Sequence, residues 1–259
     1  MDLIFFGGQS NMEGQTECVP LDTAPVDGAL EYRYKTREFI PLAHPVGEDI
    51  PPLCPANYGF GSLLPDFCRT YVRYSGNKVA AVHAARGATN IDEWQPDTEL
   101  YKKAAEKQRA AIEDLGEKPE HIYYVWLQGE SDAIRKLSGE EYLEKLTILK
   151  NALKRDCKID KFAIIRVGYF AGDEADEVIM NAQERAAEID PDFIILTRIT
   201  AALTKNSDYI NPEAAGHYNN RAMLLLGTDA AYTLATAAGG DAPRQKSGGD
   251  APRHKSGLV

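Results

Sequence analysis

Four short stretches of this chain bring hydroxyl, imidazole, carboxyl and amide groups together with glycine, a mixture suited to nucleophilic catalysis. The first is Gly7-Gly8-Gln9-Ser10-Asn11-Met12, directly after the apolar run Leu3-Ile4-Phe5-Phe6. Its glycines permit a tight turn that leaves the Ser10 hydroxyl at the carboxyl end of a strand. A helix starting there would aim free N–H groups at the same point, where they could stabilise an oxyanion. A plain helix N-cap uses the same residue types. A phosphate-binding loop does not fit, because neither GxxxxGK[ST] nor GxGxxG is present. The second stretch, Ala85 to Trp94, holds Gly87, whose backbone N–H can approach a ligand closely; an ordinary strand-to-helix turn would look the same. The third, Gln128-Gly129-Glu130-Ser131-Asp132, offers an amide, two carboxylates and a hydroxyl. A helix N-terminus accounts for Asp132, but less well for Gln128 and Glu130. The fourth, Asn211 to Asn220, carries His217. A serine needs a base to become a nucleophile, and the imidazolium so formed needs an orienting acid. Ser10, His217 and an acid supply that set. His44, His83 and His121 read as structural, with His83 in the core.

The elements that must position these groups are legible in the hydrophobic pattern. Leu3–Phe6, Val79–Val82, Ile122–Leu127, Phe162–Val167 and Phe193–Leu196 are near-continuous apolar runs, as in strands covered on both faces. Between them, Ser138 and Glu141 form a capping-box pattern ahead of Tyr142, Leu143, Leu146, Leu149 and Leu153 at helical spacing. Thr98–Leu115 ends at a Gly116 cap, Ala175–Ile189 stops before Asp190-Pro191, and Ala214–Ala237 reads as a final helix. The alternation predicts a doubly wound, three-layer α/β/α domain over residues 1–237, with a parallel sheet of about five strands. All four stretches then fall at the sheet's carboxyl edge, where open α/β sheets build their sites. Cys18–Tyr58, rich in proline, reads as long loops over that edge. Residues 238–259 contain a nearly exact duplication of a polar unit, GGDAPRQKS and GGDAPRHKS, and read as a disordered low-complexity tail in which His254 is solvated.

Composition narrows the function classes. The net charge is -10, from 39 acidic and 29 basic residues, which argues against nucleic acid or an anionic membrane as partner. The four cysteines (Cys18, Cys54, Cys68, Cys157) show neither CxxC pairing nor metal-ligand spacing with the histidines. Isolated buried thiols, no metal and no cofactor are expected. Met1–Phe6 has no basic flank and its apolar run is too short for a signal peptide, so the chain reads as cytoplasmic. A secreted chain whose leader had been removed would read the same.

Taken together, GQSNM at 8–12, Gly87-Ala88-Thr89 with Trp94, QGESD at 128–132 and a histidine before the last helix resemble the SGNH hydrolases. More narrowly, they resemble the sialate O-acetylesterase-like branch, which includes the acetylxylan esterases of carbohydrate esterase family 6. The match runs over about residues 2 to 235. It implies a flavodoxin-like sandwich and metal-independent removal of O-acetyl groups from carbohydrates through an acetyl-enzyme. The substrate could be acetylated xylan, an acetylated sialic acid or a small acetylated sugar. Ser10 would be the nucleophile and His217 the base. The N–H groups of Ser10 and Gly87 would hold the oxyanion with help from Gln128, and Gln9 and Asn11 would also serve oxyanion or substrate binding. Three departures stand out: Ala214 where many members have the triad aspartate, Ser131 where broader members have asparagine, and Ala88 in place of the second glycine. The triad acid is therefore assigned to Glu130, with Asp208, Glu213 or a backbone carbonyl holding the histidine as alternatives. An inactive carbohydrate- or nucleotide-binding module on the same scaffold is one rival. A lipase or peptidase is the other, although the GxSxG elbow is missing. Tyr32, Tyr34, Tyr58 and Trp94 could stack on a sugar or belong to the core or rim.

Overall fold

A computed structural model describes residues 1–53, 61–171 and 174–237. The 238–259 tail, Cys54 and Tyr58 lie outside the described residues. The apolar runs form strands β1 (Asp2–Gly8), β4 (Val79–Ala85), β5 (Ile122–Leu127), β6 (Lys161–Ile165) and β7 (Phe193–Thr197). Every residue of β1, β4 and β5 is buried, as continuous apolar patterning requires of strands with helices on both faces.

Two further strands, β2 (Ala29–Arg33) and β3 (Glu38–Pro41), lie within the stretch read as loop. The sheet is accordingly seven-stranded, in the order β3-β2-β4-β1-β5-β6-β7. All neighbours are parallel except β2 and β3, which form an antiparallel pair at one edge. These two strands are short, and charged residues interrupt them. β3 is the edge strand and only partly covered, while β2 beside it buries Glu31 paired with Arg33 at 2.9 Å, so neither shows a continuous apolar run.

Helices α2 (Leu64–Ser75) and α8 (Asn220–Ala237) pack together on one face, while α3 (Glu99–Asp114), α5 (Gly139–Cys157) and α6 (Glu174–Ile189) form the other layer. Three shorter helices are α1 (Ser10–Glu13), α4 (Glu130–Ile134) and α7 (Thr200–Leu203). The Ser138 hydroxyl accepts from Glu141 N–H at 3.2 Å and caps α5, as its sequence pattern indicates. The last helix starts six residues later than Ala214. Asn219 caps it by accepting from Ala222 N–H at 3.0 Å, and residues 211–219 are left as an irregular loop. Tyr32 and Trp94 are wholly buried in the core, as is His83. Cys68 and Cys157 are buried free thiols, whereas Cys18 is exposed, contrary to expectation.

The chain reverses strand order at β1. β4 and β5 flank it in parallel, with Gly8 level with both Ala85 and Leu127. Three backbones thus end side by side at the switch point where ligands of such sheets bind. Gly8 makes that approach feasible. Its φ is +144°, and a Cβ there would lie 2.0 Å from the Leu127 carbonyl oxygen. Gly8→Ala is therefore expected to lower stability by about 3 kcal/mol, read as a fall in the urea midpoint. A midpoint equal to wild type would show that the turn does not need this close approach.

Candidate active site

The turn after β1 delivers Ser10 as the first residue of α1. Gln9 N–H bonds to Leu127 O at 3.1 Å, and Arg86 N–H bonds to Gly8 O at 2.9 Å. The turns after β1, β4 and β5 are thereby stitched together. The 211–219 loop brings in the imidazole from above. It is drawn tight by Asn211 N–H on His217 O at 2.7 Å and by a bridge between Ile210 and Tyr218. Gly216, at φ +78°, lets the loop pass over Phe170, whose ring atoms a Cβ would meet at 2.5 Å. Phe170 also packs edge-on to the His217 ring, with centroids 5.5 Å apart.

Two residues 207 apart in sequence meet here: His217 Nε2 lies 2.8 Å from Ser10 Oγ. The other ring nitrogen, Nδ1, lies 3.2 Å from the carbonyl oxygen of Ala215. A carbonyl only accepts, so Nδ1 carries the proton and Nε2 turns its lone pair to the serine. This is the tautomer a general base requires. The Ser10 N–H, at the start of α1, and the Gly87 N–H make no hydrogen bond to other described residues. Both are free to donate to a developing oxyanion.

The remaining expected site residues fall differently. Glu130 does not bond to His217. It is 2% exposed, and its Oε1 accepts from Asn11 Nδ2 at 2.8 Å. Asp208 and Glu213 are exposed, and neither takes the Nδ1 proton, which the backbone already holds. Gln128 is fully buried with both ends of its amide engaged, so it does not reach the cavity. Its Nε2 donates to Thr89 O at 3.1 Å and to the Asp132 carboxylate, and its Oε1 accepts from the Tyr142 hydroxyl at 3.2 Å. Asp132 in turn accepts from Ile91 N–H at 3.0 Å and pairs with Arg135 at 2.8 Å, tying the third stretch to the second. Gln9 lines the cavity, and its carboxamide oxygen accepts from Ser131 N–H at 3.2 Å. Asn11 is buried beneath Ser10 rather than presented to a ligand.

The cavity over Ser10 has a volume of about 370 Å³. Its walls include five residues that the sequence reading did not single out: Glu13, Gln15, Arg86, Ile134 and Phe170. The first two lie just downstream of the GQSNM block, a proximity that was the available signal. Gln15 Nε2 donates to Glu13 Oε2 at 2.8 Å, and that carboxylate lies against Gly87, where a Cβ would come within 2.8 Å of it. The next residue, Ala88, is held at φ +58°. A left-handed backbone suits glycine, so the missing second glycine of the pattern leaves some strain here. Among the described residues no group of His, Cys, Asp and Glu could hold a metal ion.

Burial pushes the Glu130 carboxyl up to about 7, outweighing the Asn11 hydrogen bond, and Asp132 and Asp176 push it the same way. Its second oxygen has no hydrogen-bond partner among the described residues. A carboxyl raised in the folded state costs nothing in acid, where both states are protonated. As pH climbs from its ordinary range near 4.5 to about 7, the unfolded chain ionises first and stability falls. Glu130→Gln keeps the acceptor and removes the charge. It should match wild type in stability at pH 4 and exceed it by about 3 kcal/mol at pH 8. Calorimetry at the two pH values checks this, and an equal or lower stability of the variant at pH 8 would refute a protonated, buried Glu130.

The family model for "Carbohydrate esterase, sialic acid-specific acetylesterase" matches residues 1–236. A probable carbohydrate esterase of Arabidopsis thaliana is 23% identical over 195 residues, covering 70% of this chain and 74% of that one. An Arabidopsis thaliana crystal structure superposes with a TM-score of 0.67 at 18% identity, over 91% of this chain and 98% of that one. A carbohydrate acetylesterase from Xanthomonas citri gives 0.57 at 17% identity, over 92% of this chain but only 55% of the other. With its SGNH-type fold and a family model matched over nearly all its described length, the chain belongs to the carbohydrate esterase, sialic acid-specific acetylesterase family and is a carboxylic ester hydrolase that removes O-acetyl groups.

Proposed function

We propose that the protein deacetylates small O-acetylated sugars with a Ser10–His217 dyad, His217 being held by the Ala215 carbonyl rather than by an acid. The observation that carries the reading is the 2.8 Å contact of Ser10 Oγ with the unprotonated nitrogen of His217. In the first step His217 Nε2 takes the Ser10 proton as Oγ attacks the acetyl carbonyl carbon. The resulting oxyanion sits on the N–H groups of Ser10 and Gly87. Collapse breaks the bond to the sugar oxygen, which leaves as a hydroxyl with the proton returned by His217. A water molecule, deprotonated by the same nitrogen, then attacks the acetyl-enzyme; His217 returns that proton to Ser10 as the bond to Oγ breaks, and the product leaves as acetic acid, which ionises to acetate in solvent.

The backbone carbonyl orients the ring as a triad carboxylate would, but as a neutral dipole it stabilises the imidazolium less. The cavity suits a compact substrate. Its volume is at the lower end for small-molecule sites. Ile134 and Phe170 offer apolar surface to the acetyl methyl or a ring face, and Arg86, Glu13 and Gln15 offer polar groups to sugar hydroxyls.

Two variants test the mechanism on a panel of acetylated monosaccharides and xylo-oligosaccharides. Ser10→Ala should fold normally, release no acetate above background and escape labelling by a fluorophosphonate. Retention of more than a few per cent of the wild-type rate would remove Ser10 from the reaction. Gly87→Ala should displace the Glu13 carboxylate and tilt the oxyanion donor, lowering kcat by about 10²-fold. An unchanged kcat would mean that the Gly87 N–H does not serve the oxyanion.

A further inference from the structure

We infer that Glu130 is a positioning residue that acts through Asn11: its carboxyl orients the Asn11 carboxamide, and that carboxamide holds the His217–Tyr218 segment over Ser10. The inference rests on the Ser10–His217 reading above and assigns Glu130 a role other than that of a triad acid.

The connection is continuous. Asn11 follows the serine directly and is 1% exposed. Its Nδ2 donates to Glu130 Oε1 at 2.8 Å, and its Oδ1 accepts from Tyr218 N–H at 3.2 Å. Tyr218 follows the histidine and is buried. The peptide between His217 and Tyr218 is thus gripped from both sides, its oxygen by Asn211 N–H at 2.7 Å and its N–H by Asn11. A buried carboxamide can be satisfied here in only one orientation. The Tyr218 N–H demands an oxygen, so the amide nitrogen must face an acceptor, which Glu130 supplies. Remove that acceptor and the Asn11 NH2 is left buried and unpaired, free to flip and push a nitrogen at the Tyr218 N–H. Serine and histidine sit on separate segments, one on α1 and one on the 211–219 loop, so loosening this link lengthens the contact on which proton transfer depends.

The surroundings of Glu130 favour an acceptor over a fixed negative charge. Facing it are Asn11 from α1, Tyr218 from the histidine loop and Asp176 from α6, with Asp132 on its own helix. None of these is a cation, and two are acids. The carboxyl is therefore held protonated up to near neutrality by burial and its acidic neighbours. Glutamine is a close copy of that neutral form.

The test compares Glu130→Gln, Glu130→Leu, Asn11→Asp and the double variant Asn11→Asp/Glu130→Gln. Acetate release provides kcat and KM, fluorophosphonate labelling gives the reactivity of the serine, and circular dichroism follows folding. Ser10→Ala sets the floor. Glu130→Gln should keep kcat within about tenfold of wild type, whereas Glu130→Leu should lower kcat and the labelling rate at least about a hundredfold, with little change in KM. Asn11→Asp sets a second carboxyl against Glu130; the two can share one proton, and at the alkaline end of the assay range, where that proton is lost, their like charges should leave the enzyme nearly inactive. Glu130→Gln should rescue it at that pH, because the new amide keeps a donor to the introduced aspartate, which still accepts from Tyr218 N–H. That rescue keeps the test decisive if Glu130→Leu fails to fold. A loss near 10⁴-fold in Glu130→Gln, roughly the cost of replacing a true triad acid by its amide, would overturn the proposal. So would a Glu130→Leu enzyme with wild-type kcat and labelling rate, or a double variant no more active than Asn11→Asp at alkaline pH. If wild type itself neither releases acetate nor labels, the dyad reading fails first, and that result is distinct from any of these.

Discussion

The proposed chemistry depends on a 2.8 Å hydrogen bond between two side chains 207 residues apart. Neither partner belongs to a long element. Ser10 stands on a one-turn helix immediately beyond β1, and His217 on an irregular loop that leads into the capped start of α8. A hydrogen bond of this kind contributes only about 1 kcal/mol by itself, far too little to order the two loops. The order comes from beneath. Three parallel strands end in register, their turns are cross-linked by backbone hydrogen bonds, and the loops inherit a position from the sheet.

The polar groups under the site extend that order. Gln128, Asp132, Gln9 and Asn11 are all nearly or fully buried, and each spends its hydrogen-bonding capacity on a turn belonging to another stretch of chain. In a low-dielectric interior an unpaired polar atom is costly, so such a network tolerates few alternative arrangements. It holds the second and third blocks at fixed distances from the serine, and only Gln9 among them also reaches the cavity wall. Glu130 is the exception in that one of its oxygens has no partner among the described residues, and burial answers by keeping the group protonated. The imidazole's own support comes from a main-chain carbonyl. A carbonyl sets the tautomer as well as a carboxylate does but adds no negative charge. In the proposed dyad, turnover then depends more on geometry than on charge.

Much of this was legible in the amino-acid order. Continuous apolar runs mark the covered strands because both of their faces are buried, and the glycine and serine at the end of the first run, with a histidine ahead of the last helix, mark the candidate site. Gly8 and Ser10 in particular stand out in the sequence, since a strand-to-helix turn that pairs glycine with a hydroxyl leaves a local signature. The edge strands β2 and β3 were not legible. β3 lies at the rim and is only partly covered, and β2 beside it carries the buried Glu31, so interspersed polar residues and flanking prolines resemble a loop. The start of α8 falls later than the sequence suggests because Ala214 and Ala215 favour a helix, whereas the pull of Asn211 and Asn11 on the loop backbone is a tertiary effect. For the same reason Tyr32 and Trp94 belong to the core, since packing rather than residue type decides where an aromatic side chain goes.

What the chain determined by itself was which chemical groups stand at which strand ends, and hence the class of reaction. What only the folded molecule decided was how those groups pair. Glu130 could be recognised from its block as an unusual carboxylate, yet its partner is an amide 119 residues away. The partner of the histidine is a backbone oxygen, which every residue possesses and no sequence pattern announces. Hydrogen bonds are short and directional, so a small shift separates a triad acid from a group that holds the loop in place, and sequence spacing carries no information at that scale.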